Sequence, residues 1–292
     1  MNPIFDFSDN ALRELARADV ARALQEDVGS GDLTAGLVDP KRQARARILA
    51  REPAVICGAP WVQAALAQLE PTARIKWLVS EGQRCAPDQP VLELTGSARA
   101  LLTAERTMLN FLQLLSAVAT HTATFVQAVQ SVPGNRARIV DTRKTLPGLR
   151  LAQKYAVRTG GGTNHRIGLY DAVLIKENHI AAAGGITAVL QRAAAVAPTA
   201  TFVEIEVETL AQLDEALTAG ATMVLLDNMS LGMMRQAVQL NSGRAILEVS
   251  GGVTMATVRD IAATGVDRIS IGALTKDIKA IDFSMRFGSD VT

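Results

Sequence analysis

Six short apolar runs recur through the second half of the chain, and their spacing constrains the fold more tightly than any other feature. They are ARIVD at 137–141, DAVLIK at 171–176, FVEIEV at 202–207, MVLLD at 223–227, AILEVS at 245–250 and DRISIG at 267–272. Ala-rich stretches with helical spacing, such as ETLAQLDEALTAG and SLGMMRQAVQL, lie between them. A nearly continuous apolar run suits a strand covered on both faces, and strand–helix alternation implies a parallel sheet. The runs end in polar or special residues: Arg143 and Lys144, Lys176, Glu206 and Glu208, Asp227, Ser250, Gly272. In a barrel such ends meet at one mouth, where these folds place their chemistry. In an open doubly wound sheet, only the ends near the switch point would share a site. So many polar ends favour the barrel. This half is shorter than the roughly 250 residues typical of eight βα units, so an open or incomplete TIM-like α/β barrel of six or seven strands is expected.

Before Pro133 the rhythm differs. A helical pattern at Asn10 to Gln25 leads into the turn-rich EDVGSGDLT at 26–34. Strand-like stretches follow near Ala44–Cys57, Arg74–Val79 and Val91–Gly96, and a helical pattern then runs from about Ala98 to Gln130 as one helix or two. This order suggests a separate α+β unit.

Composition narrows the partners. With 30 Lys and Arg against 29 Asp and Glu, the net charge is +1, so no global field points to nucleic acid or an anionic membrane. Anion binding must come from local clusters. Cys57 and Cys85, the two cysteines, are too few for a disulfide framework or a zinc site. MNPIFDFSDN lacks a signal-peptide pattern, and no stretch is long and apolar enough to span a bilayer. A cytoplasmic protein is the expectation.

The connection from Asp141 to Asp171 is far longer than the others, and long loops in compact domains are commonly functional. It carries Arg143, Lys144, Arg150, Lys154, Arg158, His165 and Arg166, with glycines at 160–162. With Lys176 on the next strand it can form a cationic pocket, in which arginines suit planar carboxylates and lysines suit phosphate oxygens. Arg150, Lys154 and Arg158 read as charges on a solvated helix face. Arg143, Lys144 and Arg166 read as ligand-facing, because strand ends and glycine loops aim side chains at ligands. His165 could serve as a general acid or hydrogen-bond donor, whereas His121 and His179 read as structural.

SGG at 250–252 and Gly272 follow the last two strands, a position where barrels commonly hold a phosphate at helix N-termini. Glu206 and Asp227 end consecutive apolar strands, so burying them without a role would be costly. They could hold Mg²⁺, accept sugar hydroxyls, stabilise a developing carbocation or pair with Lys144 or Lys176. Glu204 and Glu208 alternate with Glu206 and share its facing. Lys176 also fits the pattern of a Schiff-base nucleophile.

The segment DTRKTLPGLRLAQKYAVRTGGGTNHRIGLYDAVLIKENH, 141–179, resembles the signature of the quinolinate phosphoribosyltransferases. EDVGSGDLT, AERTMLN at 104–110, VEIEVETL at 203–210, LLDNM at 225–229, EVSGGVT at 248–254 and SIGALT at 270–275 agree in order. The resemblance implies an N-terminal α/β sandwich domain (1–115), an open barrel (116–275), and a tail (276–292) packing back on the sandwich. It implies transfer of phosphoribose from phosphoribosyl pyrophosphate to quinolinate, with loss of CO₂, giving nicotinate mononucleotide. By the same resemblance quinolinate would be bound by Arg106, Thr142, Arg143, His165, Arg166 and Lys176. Phosphoribosyl pyrophosphate would meet Lys144, Glu206, Asp227, Ser250, Gly251, Gly252, Ile271 and Gly272. Lys144, Lys176, Glu206 and Asp227 would be catalytic, with Mg²⁺ at Glu206 and Asp227, directly or through water. A homodimer is implied, in which Arg106 completes the neighbouring site. Rival readings are a same-fold relative with another acceptor, a Schiff-base lyase using Lys176, and a non-catalytic phosphate-ligand sensor.

Overall fold

A computed structural model describes residues 6–288. In chain order, α1 (Asp9–Asp27) precedes β1 (Gln43–Ala50), β2 (Ala54–Val55), α2 (Ala59–Leu69), β3 (Arg74–Trp77), β4 (Arg84–Cys85) and β5 (Gln89–Ser97). Then come α3 (Ala98–Gln130), β6 (Arg138–Val140), α4 (Arg150–Thr159), β7 (Val173–Ile175), α5 (Glu177–Ala183) and α6 (Ile186–Ala193). They are followed by β8 (Val203–Val207), α7 (Leu210–Thr218), β9 (Met223–Asp227), α8 (Leu231–Asn241) and β10 (Ile246–Ser250). The chain closes with α9 (Val258–Ala262), β11 (Arg268–Ser270), α10 (Ala273–Lys276) and β12 (Phe283–Phe287). All six apolar runs form strands, and the 98–130 pattern forms one uninterrupted helix.

Two compact units emerge. Asp6–His121, Leu146–Gly161 and the segment from Asp277 make the first; Thr122–Thr145 and Gly162–Lys276 make the second. The first is built on an antiparallel sheet of order β12-β1-β5-β3. Strand β1 alternates strictly, burying Ala44, Ala46, Ile48 and Ala50 while Gln43, Arg45 and Arg47 face solvent, the period of a half-buried strand. The tail enters this sheet as β12, paired antiparallel with β1 from Ala46↔Phe287 to Ala50↔Phe283. Trp61 of α2 is fully buried, and its indole donates to Asp19 of α1 at 3.0 Å, which satisfies the one polar group it carries inward.

Lys154, expected on a solvated face, is instead fully buried in this unit. Ala152, Gln153, Lys154, Ala156 and Val157 all lie on the inward side of α4, so this amphipathic helix turns a basic residue into its core. Arg158 is exposed, as expected, with its guanidinium over the Phe7 ring.

The second unit carries the parallel sheet, of order β6-β11-β10-β9-β8-β7. Strands β7 to β11 follow sequence order, and β6 joins beside β11, so the order is that of a barrel left open between β6 and β7. No switch point interrupts it, which rules out the doubly wound alternative. Odd and even residues divide the labour along each strand. Ile205, Val207, Val224, Leu226, Leu247, Val249 and Ile269 pack outwards against the helices in one apolar core, each contributing roughly 1.5–3 kcal/mol by burial. Their neighbours Glu204, Glu206, Leu225, Glu248, Ser250, Arg268 and Ser270 are left to the other face, where the site forms.

Candidate active site

The open edge of β6 is finished by the long loop. Thr163 bridges Val140 in parallel, donating to the Ile139 carbonyl at 2.8 Å and accepting from the Asp141 amide at 3.1 Å. Asp141 is fully buried and ties the loop down with its carboxylate. One oxygen accepts the His165 amide at 2.8 Å and the other accepts Asn164 Nδ2 at 2.6 Å. Asp171 holds the far end, accepting the amides of Ile167 and Gly168, each at 2.8 Å. The NHR triplet is therefore clamped between two carboxylates, and His165 and Arg166 are both buried rather than waving in solvent.

These side chains close around a cavity of about 180 Å³, lined by Thr142, Arg143, Lys144, His165, Arg166, Leu174, Lys176, Glu206, Leu225, Glu248, Ser250 and Ser270. Four of the lining groups are Arg or Lys: Arg143 and Lys144 follow β6, Lys176 follows β7, and Arg166 lies on the long loop. Lys176 Nζ lies 2.8 Å from Glu206 Oε2. An imine-forming lysine needs a free amine, usually in an apolar surround; a half-exposed lysine paired to a carboxylate suits anion binding instead. Burial and the neighbouring Arg143 charge both push the Arg166 pKa down, while Asp171 and Glu204 oppose them. Cations crowded in this way are relieved by an anionic ligand.

Beneath the cavity lies a buried ionic layer. Glu204 and Glu248 are fully buried, and His165 Nε2 is 2.8 Å from Glu204 Oε2 and 3.6 Å from Glu248 Oε1. Arg268 Nε donates to Glu248 Oε2 at 2.6 Å, across a β10–β11 pairing that puts the two residues opposite each other. Glu204 Oε1, Glu248 Oε1 and Arg268 Nη2 are buried without a hydrogen-bond partner among the described residues. The ligand atoms of His165, Glu204 and Glu248 lie within 4.8 Å of one another. A cation there would have to break the direct His165–Glu204 contact and compete with Arg268, so the arrangement reads as a hydrogen-bonded layer.

Burial pushes the Glu204 pKa up to about 7 against the opposing pull of Arg268 and Arg166, and burial with the Glu204 charge raises Glu248. This has a consequence for stability. The folded protein keeps the Glu204 proton where the unfolded chain has released it, so its contribution is complete below the ordinary carboxylate range. It is lost as pH rises towards 7 and above, by about 3 kcal/mol in all. Thermal melts of the wild type should therefore fall in Tm between pH 5 and 8, and Glu204→Gln should flatten that slope. Parallel slopes in the two proteins would contradict the assignment.

The other expected residues are placed as follows. Ser250 lines the cavity, and Asp227 stands opposite it in the β9–β10 register without lining it. Asp227 accepts from Asn228 Nδ2 at 2.7 Å, and Asn228 donates its amide to the Ser250 carbonyl. Gly251 has φ +97°, and a Cβ there would come 2.1 Å from Asn228 Oδ1, so this turn requires glycine. The SGG turn does not open directly on a helix, contrary to expectation. The intervening residues form a turn, and α9 begins only at Val258. Gly252 sits in that turn, also at positive φ. Gly272 allows the Lys144 side chain to lie across it, since a Cβ would meet Lys144 Cδ at 3.0 Å. Ile271 turns its side chain into the apolar core and gives its amide to Val140, and Arg106 is exposed on α3 in the first unit. His179 accepts the Lys176 amide at the start of α5, a structural role as expected.

Sequence reasoning passed over Asp141, Glu248 and Arg268. For the last two the signal was present: Glu248 stands two residues before Ser250, and Arg268 two before Ser270, so each shares a face with a mouth residue. A charge in the middle of an apolar strand is costly unless paired, which makes AILEVS and DRISIG readable as partners.

Comparison with known proteins covers both units. The sequence profile of the quinolinate phosphoribosyl transferase C-terminal domain matches residues 118–286, and that of the N-terminal domain matches 32–116. The chain belongs to the quinolinate phosphoribosyltransferase family. A nicotinate-nucleotide pyrophosphorylase [carboxylating] of Mycobacterium leprae is 42% identical over 93% of this chain and 97% of its own. A probable enzyme of the same name from Bacillus subtilis is 39% identical over 89% of each chain. Among solved structures, the nicotinate-nucleotide pyrophosphorylase of Francisella tularensis superimposes with a TM-score of 0.92 at 42% identity. That match covers 99% of this chain and 100% of the other. Membership in this family accounts for both units at once, the antiparallel sheet and the open barrel.

Proposed function

We propose that this enzyme transfers phosphoribose from phosphoribosyl pyrophosphate to quinolinate and releases pyrophosphate and CO₂, making nicotinate mononucleotide for NAD biosynthesis. The observation that carries this reading is the small cavity at the strand ends, where Arg143, Arg166, Lys144 and Lys176 face inward around Thr142 and Ser250. Quinolinate is a flat pyridine carrying two adjacent carboxylates. Guanidinium forks match such groups through paired hydrogen bonds, and Lys176 supplies a point charge beside them.

The ring nitrogen attacks C1 of the ribose as the C1–O bond to pyrophosphate breaks, through an oxocarbenium-like state. Glu206 is positioned to stabilise positive charge at that centre, and Lys144 to stabilise the departing pyrophosphate. The new pyridinium is an electron sink. The bond from C2 to its carboxylate breaks, its electron pair stays on the ring carbon, CO₂ leaves, and the carbon takes a proton. Ser250, Gly251, Gly252 and Gly272 offer a turn-rich rim for the 5′-phosphate, with Ile271 acting through its place in the backbone.

Glu206 and Asp227, hard oxygen donors at the ends of adjacent strands β8 and β9, fit Mg²⁺. Because Glu206 is already paired with Lys176, contact through water suits the ion best, and Mg²⁺ would neutralise pyrophosphate charge. We extend the proposal to a cytoplasmic homodimer in which Arg106 reaches the neighbouring subunit's cavity. Arg106 is exposed on α3, and no helix among the described residues is long and apolar enough to cross a membrane.

The test mixes purified protein, Mg²⁺, phosphoribosyl pyrophosphate and quinolinate, and follows CO₂ and nicotinate mononucleotide together. Equal release of both is expected. Pyrophosphate release with a different acceptor only would overturn the substrate. Lys144→Ala should lower kcat by about a hundredfold or more, the scale of losing one group that stabilises transition-state charge; unchanged turnover would remove Lys144 from the leaving-group role.

A further inference from the structure

The ionic layer under the cavity does more than fill space, and what it does turns on the two nitrogens of His165. The amide of Arg166 donates to Nδ1 at 2.8 Å, so that nitrogen must carry a lone pair. Nε2, 2.8 Å from the Glu204 carboxylate, must then carry the hydrogen. Phe202 meets the ring edge-on at 5.2 Å between centroids and limits its rotation. Glu204 is kept in place as part of a larger set, with Glu248 3.6 Å from the same Nε2 and Arg268 bound to Glu248. Asp141 fixes the backbone from the other side through the His165 amide.

Resting on the proposed function, we propose that Glu204, steadied by Glu248 and Arg268, is a positioning residue that locks His165 in its Nε2–H tautomer. The acceptor then meets this ring as a neutral, fixed wall, and its carboxylates are left to Arg143, Arg166 and Lys176. The ring is neutral because Nδ1 accepts the Arg166 amide and so has no place for a second proton, while Glu204 and Glu248 supply the acceptors for Nε2–H. A neutral wall confers selectivity: it packs against a flat ring and adds no further cation for a ligand with a different spacing of charge. Which nitrogen of an imidazole carries the proton is set by the hydrogen bonds that its two nitrogens make.

The protein holds only three histidines, His121, His165 and His179, so ring nitrogen spectra of the full chain labelled with ¹⁵N-histidine can be assigned by comparison with His165→Asn. At pH 7, His165 should show a protonated Nε2 and a bare Nδ1, and adding quinolinate should leave that pattern intact. An imidazolium, a proton on Nδ1, or conversion to imidazolium on adding quinolinate would overturn the proposal. In kinetics, Glu204→Leu should raise KM for the acceptor by about tenfold, the scale of one charge-assisted hydrogen bond, with kcat and the KM of the phosphoribosyl donor changed far less. Glu204→Gln, which can still accept from Nε2, should recover most of that loss. Equal damage from both variants would reduce Glu204 to a packing role. Should Glu204→Leu not fold, the wild-type spectrum and the spectrum of Glu204→Gln decide the matter. Absence of turnover with quinolinate would sink the proposed function while leaving the tautomer measurement valid.

Discussion

Replacing Glu248 by alanine is expected to destabilise the barrel unit by about 3 kcal/mol or more. Glu248 is fully buried, and Arg268, mostly buried itself, binds it at 2.6 Å. Deleting the carboxylate strands a guanidinium in a region of low polarity, and breaking one side of a buried pair typically costs about 3–5 kcal/mol. Glu204, which also acts on Arg268 electrostatically, moderates the loss and places it towards the lower end. Urea unfolding gives the measurement: the midpoint should drop while the slope is preserved. Removing both partners with apolar residues, as in Glu248→Leu with Arg268→Met, should cost much less, because no charge is then left alone. A loss under about 1 kcal/mol for the single variant would mean that Arg268 is adequately served without Glu248.

Arg166→Lys should cut kcat/KM for the acceptor by about a hundred- to a thousandfold, although the charge is kept. Arg166 is buried at the cavity wall, with its backbone tied to His165 and its guanidinium reaching the Ala172 carbonyl at 3.4 Å. A planar fork in that position can grip a carboxylate with two parallel hydrogen bonds, which an ammonium on a flexible stem cannot reproduce. The loss should fall on the acceptor, with the KM of the phosphoribosyl donor little altered, and circular dichroism should remain that of the wild type. A variant that performs within about threefold of the wild type would show that Arg166 acts only as a charge.

Much of the architecture was legible because barrel strands are short and covered on both faces. Each of the six apolar runs became a strand, with its polar terminal residue at or just past the end. Two things resisted a linear reading. Lys154 is a basic residue on an amphipathic helix, which from spacing alone belongs in solvent; only tertiary packing turns that side of α4 inward. The Glu204–His165–Glu248–Arg268 layer joins residues from three strands and a loop, and no local pattern announces that Glu204 meets a loop histidine 39 residues away. Glu206 was legible because it stands near the end of its apolar run, one residue before the strand closes at Val207. Glu248 and Arg268, one step deeper, could be found only by following the two-residue period inward from the mouth. Ile271 and the SGG turn show the complementary limit: position after a strand identified the neighbourhood, while the actual use of each amide depended on pairings invisible in the sequence.

The seam between β6 and β7 gives the barrel a separable region for recognition. The strand pairings run from β6 through β11 to β7 without drawing on any residue of the intervening loop. That loop joins the barrel through the Val140↔Thr163 bridge, the carboxylates of Asp141 and Asp171 and the His165–Glu204 contact, among others. A closed barrel would have to rewrite ladder residues to change what it grips. Here Arg166 rides on a segment outside the ladder and can change while the scaffold is kept, whereas a change at His165 would have to be matched at Glu204 and Glu248. The gap in the wall thus separates a grip that is open to change from one that is tied to the strands.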